Sequence, residues 1–583
     1  MVLSGINEEI TIIENENTGV CYLTPIQDAD NVKIHRLSIA NSDEFIPRPI
    51  SLAWKFPAKN VLGIWKPTAD FNKRIEADWE LHNHESRISI DAPVISLFGA
   101  NDENRLCFSC SNAVNRIELS AKYREEDNCF YCKVTLFTEC KYSLTNFTID
   151  IRIDEREVHF SQALRDVSKW WESYESLTPA YVPKIAKMPL YSTWYQFHQD
   201  LEEEQLLQEC TIAKKMGFEA IIIDDGWQTK DNNRGYDYTG DWKPEHFKDF
   251  KSLVKTIQQI GMKVGIWYSV PFCGVKSQAY QRFKGKFLTE NHRWAPVFDP
   301  RYPEVRNYLV QTYVSTVNDL GLDGLKLDFI DDFKSYPETS FDWEGKDILS
   351  INGAVDLLLS EITTELKKIN PEIFIEFRQK YTGPAIRKYG NMLRAFDCPG
   401  DYVMNRVRIA DIKLLSGSTA VHSDMVTWHK EEDVEIAALH YLNTLFAVPQ
   451  ISVMLSDIPG THLRMITFFT RYWEKNKDIL LSQHFYPKSP SENYPLLYAE
   501  KGDKKIIGLY SDHMITIQGN EKNIDIINSR LHMHVVIFSE NRVQFEGVTY
   551  NCCGEIVEEF NSTLKKGCNL LELPKSGILQ MKM

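Results

Sequence analysis

Hydrophobic and polar positions alternate in short runs from Gly5 to about Ile153, as in Ile10-Thr-Ile-Ile13, Ser51-Leu-Ala-Trp54, Arg87-Ile-Ser-Ile90 and Cys132-Lys-Val-Thr-Leu136. Runs of period two between polar turns predict many short strands, and so a β-sandwich. The period changes to 3.6 over Phe160 to Tyr174, where Leu164, Val167, Trp170 and Trp171 share a stripe, which predicts a linking helix. Pro179, Pro183 and Pro189 punctuate the segment after this helix, so an N-terminal domain is expected over 1–178.

The middle of the chain repeats strand, loop and helix. The strand candidates are Leu190–Tyr195, Glu219–Asp224, Lys263–Ser269, Gly324–Phe329, Ile373–Arg378, Met392–Asp397, Thr419–His422 and Ile451–Leu455. Helical periodicity is clearest in Leu201–Met216, Phe247–Ile260 and Ala354–Ile369, and Glu435–Phe446 follows the seventh strand. Apolar strands alternating with helices define an α/β class with a parallel sheet. Eight such units predict a closed (β/α)8 TIM barrel over 185–483. The fifth and sixth strands lie too close in sequence for a full helix between them. After Gln483-His-Phe-Tyr486 the strand rhythm returns, in Lys505-Ile-Ile-Gly508, His513–Gln518, His534–Ser539 and Gly577–Met581. A C-terminal antiparallel β domain, a second sandwich, is expected over 484–583.

Composition narrows the function. With 66 Lys and Arg against 81 Asp and Glu, the 583-residue chain carries a formal charge of −15. It has no basic block of the kind that holds a phosphate backbone, so nucleic acid is not an expected partner. No apolar run reaches the roughly 18–20 residues of a membrane span. Met1 to Glu16 lacks a basic and an apolar region in the order of an export signal, which predicts a cytoplasmic protein. The 12 cysteines are irregularly spaced. Cys107-Phe-Ser-Cys110 and Cys129-Phe-Tyr-Cys132 have the spacing of a four-thiolate zinc site, but their flanks are strand-like. Positions i and i+3 of a strand face opposite ways, so structural thiols on paired strands are expected instead.

In a (β/α)8 barrel the reacting groups project from the C-terminal strand ends. The second strand ends Asp224-Asp225-Gly226-Trp227-Gln228, the fourth reads Gly324-Leu-Lys326-Leu-Asp328-Phe329, and the sixth reads Leu393-Arg394-Ala-Phe-Asp397-Cys-Pro-Gly-Asp401. Trp194 and Trp267 stand at the first and third, and the seventh leads into His422-Ser-Asp424 and Trp428. Carboxylates and aromatics without a His/Cys cluster or a Gly-rich phosphate loop suit sugar chemistry. One carboxyl attacks or activates water at the anomeric carbon and another protonates the leaving oxygen. Further Asp side chains accept from hydroxyls, and Trp faces cover the apolar side of a pyranose. Each residue has a plainer reading too. A strand-end Asp also caps the next helix, and Asp401 and Asp411 taken singly are read so. Trp194 and Trp267 read equally as core layers, and His422 and His429 as loop or core histidines. Lys326, buried two residues before Asp328, requires a carboxylate partner.

At these residues the chain resembles the family 36 glycoside hydrolases, which comprise α-galactosidases, α-N-acetylgalactosaminidases and raffinose and stachyose synthases. Ile-Asp224-Asp225-Gly-Trp227-Gln is similar to the family's sugar-binding loop, and Lys326-Leu-Asp328 to its Lys-x-Asp nucleophile motif. Arg394-Ala-Phe-Asp397, followed by Asp401 and Arg406, is similar to its acid/base segment, with Asp397 in the better register. Trp194 and Trp267 match its strand-end tryptophans, and Ser456-Asp457-Ile-Pro459-Gly460 resembles a motif of the synthase branch. The resemblance covers about 185–460. One departure stands out. The Cys/Gly/Ser-rich loop that many family members carry after the fifth strand, which reads the sugar's 2-position, is replaced by Glu376-Phe-Arg378-Gln379-Lys-Tyr381, whose Arg and Glu fit an anionic or N-acetylated substituent.

The resemblance implies a retaining α-glycosidase acting on terminal α-galactosides, with a synthase-type transferase, an α-N-acetylgalactosaminidase or a hydrolase of a modified α-glycoside as alternatives. A non-catalytic carbohydrate-binding barrel is a more distant one. Asp328 is the expected nucleophile and Asp397 the acid/base, with a raised pKa. Asp224, Asp225, Trp227, Trp194, Trp267, Lys326, Arg378, Arg394, Asp401 and Trp428 are the expected substrate-binding residues. No metal or organic cofactor is expected, the partner is a small-molecule or oligosaccharide substrate, and self-association into a homo-oligomer is left open.

Overall fold

The computed structural model describes residues 9–13, 20–229, 231, 233–378, 380–519 and 521–583. Gln379 and the start of the alternating segment at Gly5 lie outside the described residues.

The N-terminal strands form two facing sheets. One orders Thr11–Ile13, Ile50–Pro57, Cys129–Leu136, Ile117–Arg124 and His84–Ser86; the other orders Val20–Ala29, Val32–Phe45, Leu144–Asp154, Asn104–Cys110, Val94–Phe98 and Gly63–Trp65. Alternate residues of both, among them Leu37, Leu52, Phe108, Leu119 and Val134, close a separate core. Cys107–Cys110 and Cys129–Cys132 sit on strands of opposite sheets, which corrects the expectation that those strands pair. Cys110 and Cys132 face the sandwich core, whereas Cys107 faces the core shared with helix Phe160–Glu172. The alternation of side chains along a strand thus keeps each pair from converging on one point.

Eight parallel strands follow among the described residues: β1 Leu190–Ser192, β2 Ala220–Ile223, β3 Lys263–Ser269, β4 Gly324–Asp328, β5 Phe374–Arg378, β6 Met392–Arg394, β7 Ala420–His422 and β8 Gln450–Ile451. Neighbours in sequence pair in order, and β8 pairs with β1. Closure between β7 and β8 runs through the Val448 N–H on the Val421 carbonyl at 2.8 Å and the Ser423 N–H on the Val448 carbonyl at 3.0 Å. The barrel is thus complete. Helices Glu203–Met216, Phe250–Ile260, Pro303–Leu320, Ile351–Ile369, Tyr402–Leu415, Val434–Leu442 and Gly460–Leu480 surround it. Among the described residues, only a 3-10 turn, Ile386–Lys388, fits between β5 and β6.

The strands are shorter at their ends than the apolar runs. β1 stops at Ser192 and a helical turn, Trp194–Phe197, takes over; β6 stops at Arg394, leaving Asp397 on a loop.

The C-terminal strands form a seven-stranded and a three-stranded sheet. The expected antiparallel order is corrected at two places: Lys504–Leu509 runs parallel to Asn523–Asn528, and Ile515–Ile517 parallel to His534–Ser539. All three parts meet at Asp411. This fully buried carboxylate accepts from Trp65 Nε1 at 2.8 Å, Lys73 Nζ at 3.2 Å and the Tyr494 hydroxyl at 2.5 Å. No helix among the described residues is long and apolar enough to cross a membrane.

Candidate active site

Register sets the floor of the site. Trp267 lies beside Lys326 and Ser269 beside Asp328 across β3 and β4, while Arg378 lies beside Arg394 across β5 and β6. Positions two apart on one strand share a face, so Lys326 and Asp328 both point to the barrel axis.

Asp328 ends β4 and is saturated with donors. Trp267 Nε1 donates to one oxygen at 3.1 Å; the other takes Arg378 Nε, the Tyr381 hydroxyl at 3.3 Å and the Phe329 N–H at 2.8 Å. Phe329 itself has φ +63°, a left-handed conformation that is strained for a bulky side chain. Burial alone would raise the Asp328 carboxyl. Arg378 first, then Lys326 and Arg394, outweigh it and hold the group well below the usual carboxylate range.

Across the barrel, Lys326 Nζ donates to Asp224 at 2.7 Å, the carboxylate that its burial requires. Asp224 also accepts the Asp225 N–H at 2.9 Å. Asp225 accepts from Gln228 at 2.6 Å and Gln199 at 2.9 Å. Both carboxyls are buried, and burial raises both, Asp225 to about 7. Gly226, at φ +125°, brings the loop so close that a Cβ there would stand 2.6 Å from the Gln199 Cα.

Asp397 lies on the loop after β6, its side chain 39% exposed to the cleft, and accepts from Arg394 at 2.8 Å. The expected raised pKa is corrected. Burial pushes this carboxyl up, but Arg394, with Lys326 and Arg378 behind it, holds it below the usual range. Asp401 takes the plainer role read for it singly. It caps helix Tyr402–Leu415 through the Met404 N–H at 2.8 Å and is exposed to solvent, where a short acceptor satisfies an otherwise orphan donor.

Two tryptophans also sit differently from expectation. Trp227 is fully buried among Phe250, Trp242 and Tyr268, stacked on Phe250 at 5.7 Å, because the turn at Gly226 swings it behind the barrel wall. Its indole N–H donates to the Trp267 carbonyl at 2.8 Å, so it props the ring that faces Asp328. Trp428 is spent on His462, 3.2 Å away, and packs on His440. Trp194 is half-buried at the turn after β1, edge-on to His198. Glu376 lies deep and buried, where it accepts from Gln450 at 2.5 Å and stands 3.3 Å from Arg394 Nε; Arg378 and the Tyr381 hydroxyl of the departing loop reach Asp328. His422 is a core residue bonded to the Ala186 carbonyl at 2.8 Å.

The sequence reading missed Tyr236, Gln199, Asp331 and Tyr195, and left Asp424 without a role. Tyr236 stacks on Trp267 at 6.1 Å and meets Trp294 edge-on at 5.7 Å, extending an aromatic wall outward from Asp328. Asp331 holds the second side of Arg378 at 3.3 Å. Asp424 had a signal: it follows β7 on the same face as His422, one strand from Arg394.

A three-part (β/α)8 protein whose barrel mouth gathers buried carboxylates, paired cations and an aromatic wall has the make-up of a carbohydrate-active protein. The Melibiase family model matches residues 158–383. α-Galactosidase AgaA of Geobacillus stearothermophilus is 27% identical over 129 residues, 21% of this chain and 16% of that protein. α-Galactosidase Mel36A of Lactobacillus acidophilus is 24% identical over 190 residues, 29% of this chain and 25% of that protein. The aligned sequence therefore spans a quarter or less of these relatives. The fold likeness is broader: the AgaA crystal structure superposes with a TM-score of 0.64 at 13% identity, covering 95% of this chain and 79% of that one. A Thermus thermophilus α-galactosidase in complex with stachyose gives 0.51 at 15% identity, over 77% and 99%. In sequence over part of its barrel, and in fold over most of its length, the chain is similar to α-galactosidases of glycoside hydrolase family 36.

Proposed function

We propose that the protein is a retaining α-glycosidase that hydrolyses terminal α-galactosides through a glycosyl-enzyme. The observation that carries this reading is Asp328, buried at a barrel strand end yet held ionised by Arg378 and Lys326. A nucleophilic carboxylate must be charged where water is scarce, and that surrounding supplies the charge balance. Asp328 attacks the anomeric carbon as Asp397 gives its proton to the departing oxygen. Asp397 then takes a proton from water, which releases the sugar. Asp224, Asp225 and Lys326 bind hydroxyls; Trp267 and Tyr236 cover the apolar face of the ring. The named relatives are α-galactosidases, and one neighbour of this fold is an AgaA variant in complex with raffinose, which supports the choice of galactose and of an oligosaccharide substrate.

A panel of p-nitrophenyl α-glycosides of galactose, N-acetylgalactosamine and glucose, with the β-L-arabinopyranoside, tests it. Release from the α-galactoside with the α anomer formed first is expected. Release from none by the folded protein, or a β anomer formed first, overturns the reading. Transfer of the sugar to an acceptor instead of water uses the same carboxylates, and the ratio of transfer to hydrolysis products separates the two.

A further inference from the structure

Arg394 is fully buried and faces more than one carboxylate. It donates to Asp397 at 2.8 Å and, from its other terminal nitrogen, to Asp424 at 2.5 Å. Asp424 is buried without exposure and is built in on every side. Its second oxygen accepts from the Tyr195 hydroxyl at 2.8 Å and the Cys398 N–H at 2.7 Å. Asn405 clasps its backbone N–H and carbonyl at 3.0 and 2.9 Å. One side chain therefore ties the end of β7 to the turn after β1 and to the loop that carries Asp397.

A guanidinium beside a general acid works against it, because it favours the carboxylate form. A second carboxylate on the same guanidinium draws part of that charge away. We infer that Asp424 is a positioning residue for the acid/base: by sharing Arg394 it orients Asp397 and lets it carry the proton that the leaving oxygen takes. The inference rests on the reading of Asp397 proposed above. During glycosylation the proton moves from Asp397 to the glycosidic oxygen as the bond from that oxygen to the anomeric carbon breaks and the bond to Asp328 forms. Asp397, now charged, keeps Arg394 as its partner until water returns the proton. Asp424 exchanges no proton with substrate.

The charged and titratable groups around the pair come from every neighbouring element. Asp424 faces Arg394, Asp397, Cys398, Tyr195 and Arg408. Asp397 faces Arg394, Lys326, Arg378 and Asp328. Burial pushes Asp424 up to about 6 against the pull of Arg394, with the Asp397 charge adding to the rise.

The test is Asp424→Asn in the full chain, with kcat/KM followed against pH for two α-galactosides, one with a p-nitrophenol and one with an alkyl leaving group. Arg394 then keeps only Asp397 and the buried Glu376, 3.3 Å from its Nε, as carboxylate partners. The alkyl substrate is expected to lose about tenfold or more at neutral pH and its basic limb to move down by about one unit, while the aryl substrate changes by less than about threefold. Tyr195→Phe, which removes a donor from Asp424 but keeps its carboxyl, should move the limb the same way by less, and it carries the test if Asp424→Asn does not fold. Equal losses on both substrates with an unmoved limb overturn the inference. Asp397→Asn run in parallel keeps the two claims apart: if it shows no dependence on the leaving group, the acid/base reading itself fails.

Discussion

Lys326 and Asp224 form a buried ion pair of 2.7 Å between β4 and β2, directly below the carboxylate assigned as nucleophile. Both charges are out of water, so each is tolerable only with the other. Lys326→Met leaves Asp224 buried and unpaired. It is expected to cost about 3–5 kcal/mol of stability and most of the activity. Adding Asp224→Asn to that variant should restore much of the stability, read by denaturant titration, without restoring turnover.

Arg378 is expected to set the acid side of the pH profile. Asp328 is held below its unfolded value, so its stabilising contribution is present above that unfolded value, roughly pH 4, and is lost as pH falls through the folded one. The same depression keeps the proposed nucleophile ionised. With Arg378→Met the acidic limb of kcat/KM should move up in pH by a unit or more. An unmoved limb would show that another group sets it.

Gly226 is a backbone position no side chain can share. Gly226→Ala meets both the left-handed φ of +125° and the Gln199 backbone at 2.6 Å. About 1–3 kcal/mol of strain is expected, along with a loosened Gln199–Asp225 contact. KM for the sugar should rise more than kcat falls, measured by steady-state kinetics.

Asp411 joins the N-terminal sandwich, a barrel helix and the segment after it through Trp65, Lys73 and Tyr494. Asp411→Ala strands the buried Lys73 ammonium, and a loss of about 3–5 kcal/mol is expected. Urea unfolding followed by tryptophan fluorescence should show the whole transition moving down; an unchanged midpoint would contradict the assignment.

The barrel was legible because its strands are apolar runs buried on both faces, and Lys263–Ser269 stands as the sequence pattern predicts. Helix Pro303–Leu320 was not. Its stretch Tyr313-Val-Ser-Thr-Val317 carries β-branched residues that favour strands, and only packing of Leu309, Tyr313 and Val317 against the barrel decides for a helix. Asp224, Asp225 and Asp328 could be read from their strand ends. Trp227 misled because one glycine reverses the chain before it, a change of direction that side-chain periodicity does not record. Asp397 was legible as a residue but not in its charge state, since the cation that sets it, Arg394, is shared with Asp424 and Glu376 from other strands.

The most direct measurement is to inactivate the protein with a galacto-configured cyclitol epoxide and locate the label by peptide mass spectrometry. The account predicts one equivalent bound as an ester to Asp328, abolished in Asp328→Asn. A label on Asp397 or any other side chain, or turnover retained by Asp328→Asn, would contradict it.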